Sequence, residues 1–129
     1  MSVTPLYAGL LALLFVFLSM RVIATRRSAD VGLGDAGNST LIRRQRVHGN
    51  FAEYVPLALV LMALMDLQSQ PLWIVHVTGL LLLSGRLFHA YGVSQDPETI
   101  RLRVMGMTLT LMSLVTGALV NLWSVATSS

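Results

Sequence analysis

Arg46-Val47-His48-Gly49-Asn50-Phe51-Ala52-Glu53-Tyr54 leads straight into the apolar run Val55–Leu67. At about 100° per residue, Arg46, Asn50 and Glu53 fall on one stripe of a helix that is entering a membrane. Polar side chains are costly beside hydrocarbon, so a row of three implies a polar object for them to hold. A partner helix or a ligand would serve.

The rest of the chain supplies the frame. Hydrophobic residues make up 54% and charged residues 12%. A soluble domain carries about twice that share of charge. Mean hydropathy is +0.69. Four apolar stretches stand out, Pro5–Ala24, Asn50–Leu67, Leu72–Tyr91 and Val104–Val125. Each is close to the ~20 residues that cross a bilayer core as a helix. The predicted fold is therefore all-α, an integral membrane four-helix bundle filling residues 1–129 as one domain. So small a bundle has few internal interfaces, and oligomerisation is a natural supplement.

No Arg or Lys precedes Arg21 and no small-residue cleavage site follows the first apolar run, so a cleaved signal peptide is not expected. The absence of cysteine excludes disulfides, thiol catalysis by the protein and Cys-ligated metal. His48 and His76 have no second ligand at metal spacing, and no metal site is expected. The basic residues lie against the membrane, which disfavours a nucleic-acid partner.

All nine basic residues are arginine. Arg presents a planar fork of donors suited to carboxylate or phosphate. Loop one, Thr25–Gln45, holds Arg26, Arg27, Arg43 and Arg44. Loop three, Gly92–Ile100, is followed by Arg101 and Arg103, whereas loop two, Asp66–Pro71, has no basic residue. The positive-inside rule puts loops one and three in the cytoplasm and both termini outside, in a bacterial inner membrane if the source is bacterial. Asp96-Pro97-Glu98 looks like an N-terminus signal for helix four.

Arg86 and His89 share a face of helix three. A guanidinium facing lipid there would cost ~3 kcal/mol, so Arg86 is expected to turn inward and meet an acid, with Glu53 the natural partner. In helix four, Arg103, Gly106, Thr110, Ser113 and Gly117 form one stripe of small and polar residues. Such stripes let helices approach closely in lipid. Arg103 heads that packed face, and Arg101 points about 200° away from it. Trp73 and Trp123 suit interfacial anchoring at the opposite end.

This constellation resembles the MAPEG family, the membrane-associated proteins in eicosanoid and glutathione metabolism. The matching pieces are Arg46-x-x-x-Asn50-x-x-Glu53-Tyr54 with Pro56, then Gly85-Arg86-x-x-His89, then Arg103-x-x-Gly106. Val22-Ile23-Ala24-Thr25-Arg26-Arg27 looks like the family's end of helix one. The resemblance implies a homotrimer that binds glutathione between neighbouring subunits towards the cytoplasmic side. It implies a membrane-bound glutathione transferase or peroxidase acting on lipophilic electrophiles that arrive from the bilayer. Glutathione is then a cosubstrate, and membrane lipid surrounds the site.

By the same resemblance, Arg46, Asn50, Glu53 and Tyr54 are glutathione contacts from helix two, and Arg86 and His89 from helix three. Arg103 is the thiolate stabiliser, with Arg101 as the alternative. Arg27, with Arg26 as second choice, is the helix-one basic contact. Arg forks suit the tripeptide's carboxylates, and Glu53 suits its ammonium. A guanidinium near the thiol raises its thiolate fraction. Several eicosanoid-making members carry a Tyr one turn after the position of His89, where this chain has Val93. Tyr91 points about 160° away from Val93. That departure favours a general glutathione transferase over a specialised eicosanoid synthase. Two other readings stand beside it: a non-catalytic trimeric membrane protein that binds lipid or a partner, and a small multidrug transporter. The transporter would need an acid in helix one, which offers only Arg21.

Overall fold

A computed structural model describes residues 2–128. Four helices follow one another: α1 Thr4–Ala29, α2 Ser39–Leu67, α3 Leu72–Ser94 and α4 Ile100–Thr127. All four are long and apolar enough to cross a membrane, and no strand occurs among the described residues. The four-helix membrane bundle is as predicted. Only helices satisfy every backbone polar group within the segment that crosses lipid.

The helices run further than the apolar stretches do, chiefly at the arginine-rich end. Loop one shrinks from the predicted Thr25–Gln45 to residues 30–38. Arg26 and Arg27 thus belong to α1, and Arg43 and Arg44 to α2. Hydropathy marks where hydrocarbon ends, whereas caps mark where a helix ends. Asn38 caps α2 by accepting from the Leu41 N–H at 2.9 Å. Asp30, with φ +53°, closes α1 in the left-handed conformation, its N–H directed at the Arg26 and Arg27 carbonyls. The Asp96-Pro97-Glu98 signal does not start α4. Thr99 precedes the first helical residue and makes no side-chain cap, while Asp96 and Glu98 pair with arginines instead.

Helices α3 and α4 pack most closely. A Cβ built on Gly106 would stand 2.4 Å from the His89 nitrogen and 2.7 Å from the Gly85 carbonyl oxygen. Gly85 and Gly92 return the favour, each facing α4 backbone too near for any side chain. The predicted stripe is the packed face from Gly106 onward, with Gly106, Thr110, Ser113 and Gly117 all buried, whereas Arg103, expected at its head, is exposed in the first turn of α4. Ser113 Oγ donates across to the Thr78 carbonyl at 3.1 Å. The outward surface is Leu-, Val- and Phe-rich, as a lipid-facing surface must be. Trp73 and Trp123 are exposed at the end away from the arginines.

That far end is tied by Asp66, whose carboxylate accepts from the N–H groups of Val3 (3.0 Å) and Thr4 (2.7 Å). It supplies the cap that the α1 sequence lacks, since Val3 has no side-chain oxygen. Replacing Asp66 with alanine is expected to destabilise the protein by about 1 kcal/mol, the usual cost of a lost helix cap. Thermal melting in detergent reads this directly, with amide exchange increased at the start of α1.

Candidate functional site

At the arginine-rich end, α2, α3, α4 and the α3–α4 connection line an open cavity of about 520 Å³. The local sequence explains its polar lining. On α2, residues 43, 46 and 50 recur every three or four positions, so Arg43, Arg46 and Asn50 stack along one face. His89 and Val93, one turn apart, form the α3 wall, and Glu98 and Arg103 close the remaining side.

Below the cavity lies Arg86, only 1% exposed. Its guanidinium donates to Asn50 Oδ1 at 2.6 Å and Thr110 Oγ1 at 3.3 Å. It stands 3.2 Å from His89 Nδ1 and 5.9 Å above the Phe51 ring. Because Arg86 can only donate, His89 Nδ1 accepts, and the neutral imidazole carries its proton on Nε2. The expected Arg86–Glu53 pair is absent. Ion pairs among the described residues join Arg43 to Asp96, Arg46 to Glu53 and Arg103 to Glu98. Arg86 does turn inward, but neutral oxygens and an imidazole receive it. The reason is register: Asn50 stands close to one turn before Glu53 on α2, and it takes the fork first.

The surface pairs differ in quality. Arg46 and Glu53 are 3.9 Å apart and both more than half exposed. Such a pair holds its members weakly, leaving both free to meet another charge. Arg103 reaches both Glu98 oxygens, at 2.9 and 3.1 Å.

Of the residues singled out in the sequence, Arg46, Asn50, His89 and Arg103 line the cavity together. Arg86 sits beneath it as the support of Asn50 and His89. Glu53 and Tyr54 lie further along α2, exposed and half-buried respectively, outside the lining. Arg27 is exposed on α1, away from the cavity, and Arg26 is committed to the Val31 and Gly34 carbonyls. Arg101 is exposed and does not reach the cavity, whereas Arg103 does. Tyr91 faces a separate groove between α1 and α3, and Val93 occupies the cavity wall.

Two charged lining residues, Arg43 and Glu98, were not among the predicted contacts. Arg43 precedes Arg46 by three positions, so carrying the α2 stripe back one turn would have found it. Glu98 was legible only as a possible cap.

Among the described residues, no cluster of three or more His, Cys, Asp or Glu is placed to hold a metal ion. Beside the apolar Ile42, Val93, Pro97 and Ile100, the lining offers cationic forks, an amide, an imidazole, a hydroxyl and one carboxylate, polar groups suited to binding a small ligand that carries both carboxylates and an amine.

Comparison with known proteins agrees with this architecture. Inner membrane protein YecN of Escherichia coli strain K12 is 42% identical over 121 residues, covering 94% of this chain and 91% of that protein. YecN of Escherichia coli O6:H1 matches to the same extent. No solved structure shows a significant match. The MAPEG family profile matches residues 4–123, nearly the whole four-helix unit. This chain is a member of the MAPEG family.

Proposed function

We propose that this protein is a membrane-bound glutathione transferase or peroxidase that presents the glutathione thiolate to lipophilic electrophiles. The observation that supports this best is the convergence of Arg43, Arg46 and Arg103 with Asn50 and His89 on one open cavity at the edge of the membrane. The chain is a multi-pass integral membrane protein, and its relatives are inner membrane proteins. On this reading the arginine-rich end is cytoplasmic and both termini are outside, following the positive-inside rule.

The chemistry follows from the side chains. Arg46 and Arg43 take the carboxylates of the tripeptide, and Glu53 releases Arg46 to meet its ammonium. Arg103, at the start of α4, lies beside the thiol and favours its ionised form. The sulfur then attacks the electrophile, which enters sideways from the acyl chains, and the leaving group departs with the displaced electron pair. The nucleophile belongs to glutathione, so the protein needs no reactive side chain of its own.

Glu53, Tyr54 and Arg27 lie outside the cavity of a single chain. In a homotrimer, with glutathione held between neighbouring subunits, exposed residues on α1 and α2 would complete the pocket.

Stopped-flow absorbance of the thiolate, with glutathione titrated against purified protein, tests the assignment. The wild type should develop the signal. Arg103→Ala should lose it, and Arg101→Ala should keep it. Arg46→Ala should weaken binding by about tenfold, the scale of one lost charge-assisted hydrogen bond. Calorimetry with no heat and no competition at millimolar glutathione would remove the proposal.

One observation favours a second reading, a trimer that binds lipid or a partner without turnover. Glu98 holds Arg103 through both oxygens, which offsets the positive charge a thiolate needs. Under the enzymatic reading, Glu98→Gln should increase the thiolate signal. Binding without conjugation of an aromatic chloride, unchanged by Glu98→Gln, would favour the non-catalytic reading.

A further inference from the structure

A second groove, of about 350 Å³, opens between α1 and α3 and shares no residue with the glutathione cavity. Its polar end is Arg21 and Ser94, and its walls include Leu14, Phe17, Leu87 and Tyr91. Arg21 is the one charged residue of the first apolar stretch. It lies five residues before Arg26, so its Cα is about 7–8 Å deeper in the membrane than the arginines at the end of α1.

Arg21 is half-buried, and no carboxylate among the described residues lies within ion-pair distance of it. Its two terminal nitrogens both point at Ser94 Oγ, each at 3.1 Å. That hydroxyl donates its own proton to the Ala90 carbonyl, so it offers Arg21 a neutral acceptor and no charge. The guanidinium carbon stands 5.8 Å from the Phe17 ring centre, a further weak attraction for a cation. The next cation, Arg44, donates to the Arg21 carbonyl and Thr25, adding positive charge on the same side.

A deep cation served by one hydroxyl calls for an anion, and the apolar walls run from it into the bilayer. Phe17, Leu87 and Tyr91 are exposed along the groove, so an acyl chain can lie against them. This order, a charged end with hydrocarbon leading away from it, complements a phospholipid. We propose that the α1–α3 groove is a binding site for an anionic phospholipid, with its headgroup phosphate on Arg21 and one acyl chain between Phe17 and Tyr91. A zwitterionic lipid would bring its own cation to a place already positive, so the site prefers a net negative headgroup.

Photo-crosslinking in vesicles tests this on the intact protein. Phosphatidylglycerol and phosphatidylcholine, each bearing a diazirine in the acyl chain, are compared at equal mole fraction, and labelled residues are mapped by mass spectrometry. The phosphatidylglycerol probe should label residues 14–21 and 87–95 about fivefold more than the phosphatidylcholine probe, and Arg21→Gln should remove that excess. Equal labelling by both probes, or labelling spread evenly over all lipid-facing helices, would overturn the site. Displacement by inorganic phosphate but not by chloride at matched ionic strength would mean a soluble anion occupies Arg21 and would overturn the lipid. Should Arg21→Gln fail to fold, the wild-type ratio of the two probes decides alone.

Discussion

Replacing Arg86 with alanine is expected to lower stability by about 3 kcal/mol and, under the proposed function, to weaken glutathione binding as well. Two costs combine. Removing so large a buried side chain leaves a cavity in a packed bundle. It also strips the guanidinium donor from Asn50 Oδ1, His89 Nδ1 and Thr110 Oγ1. Asn50 and His89 line the cavity, so under the proposed function their loss of alignment should appear as weaker glutathione binding even in the fraction that remains folded. Arg86→Lys keeps the charge but cannot bridge Asn50 and Thr110 with one planar fork. It should recover part of the stability and less of the binding. Melting in detergent with and without glutathione separates the two effects. An Arg86→Ala protein that melts like the wild type would show that the buried fork is not what holds α2 to α3.

The second large effect is expected at Gly106. A leucine there would push its Cβ against the His89 nitrogen and the Gly85 carbonyl, both backbone atoms that no rotamer change can move aside. Helices α3 and α4 would have to separate. Overpacked sites usually cost about 1–3 kcal/mol, and contact with backbone on both sides puts this one at the upper end or beyond. Arg103 sits one turn before Gly106, so the same shift would carry it away from His89 and open the cavity. The expected outcome is loss of folded protein on size-exclusion chromatography, with Gly106→Ala milder but in the same direction. A stable, unchanged Gly106→Leu protein would refute the close α3–α4 approach.

Both predictions concern residues whose type and spacing were visible in the sequence. The four spans were legible because hydropathy over 20 residues is a strong signal, and the buried face of α4 because small residues recur at helical spacing. The helix ends were less so. Arg43 and Arg44 look like loop residues when hydropathy alone is followed, yet a cap at Asn38 places them on α2. The partner of Arg86 was misjudged for a related reason. Charge complementarity pointed to Glu53, but one turn of helix decides which side chain arrives first, and Asn50 does. The family resemblance, rather than spacing, grouped Arg46, Asn50, His89 and Arg103, and the structure brings these four to one cavity, with Arg46 and Arg103 on its exposed side. Arg27, Glu53 and Tyr54 stay outside that cavity: Arg27 is on α1, which contributes nothing to the lining, and Glu53 and Tyr54 lie further along α2 than its last lining residue, Asn50.

Asp66 lends the far end of the bundle a temporal meaning. The first amide groups of α1 take their acceptor from a carboxylate translated sixty-odd residues later. While the ribosome is still delivering α2, the leading turn of the protein therefore has no side chain to terminate it. Only when the second hydrophobic segment has come back across the bilayer does that turn become complete. The same carboxylate joins the two ends of the α1–α2 hairpin, so the start of α1 is fastened from the side to which α2 returns.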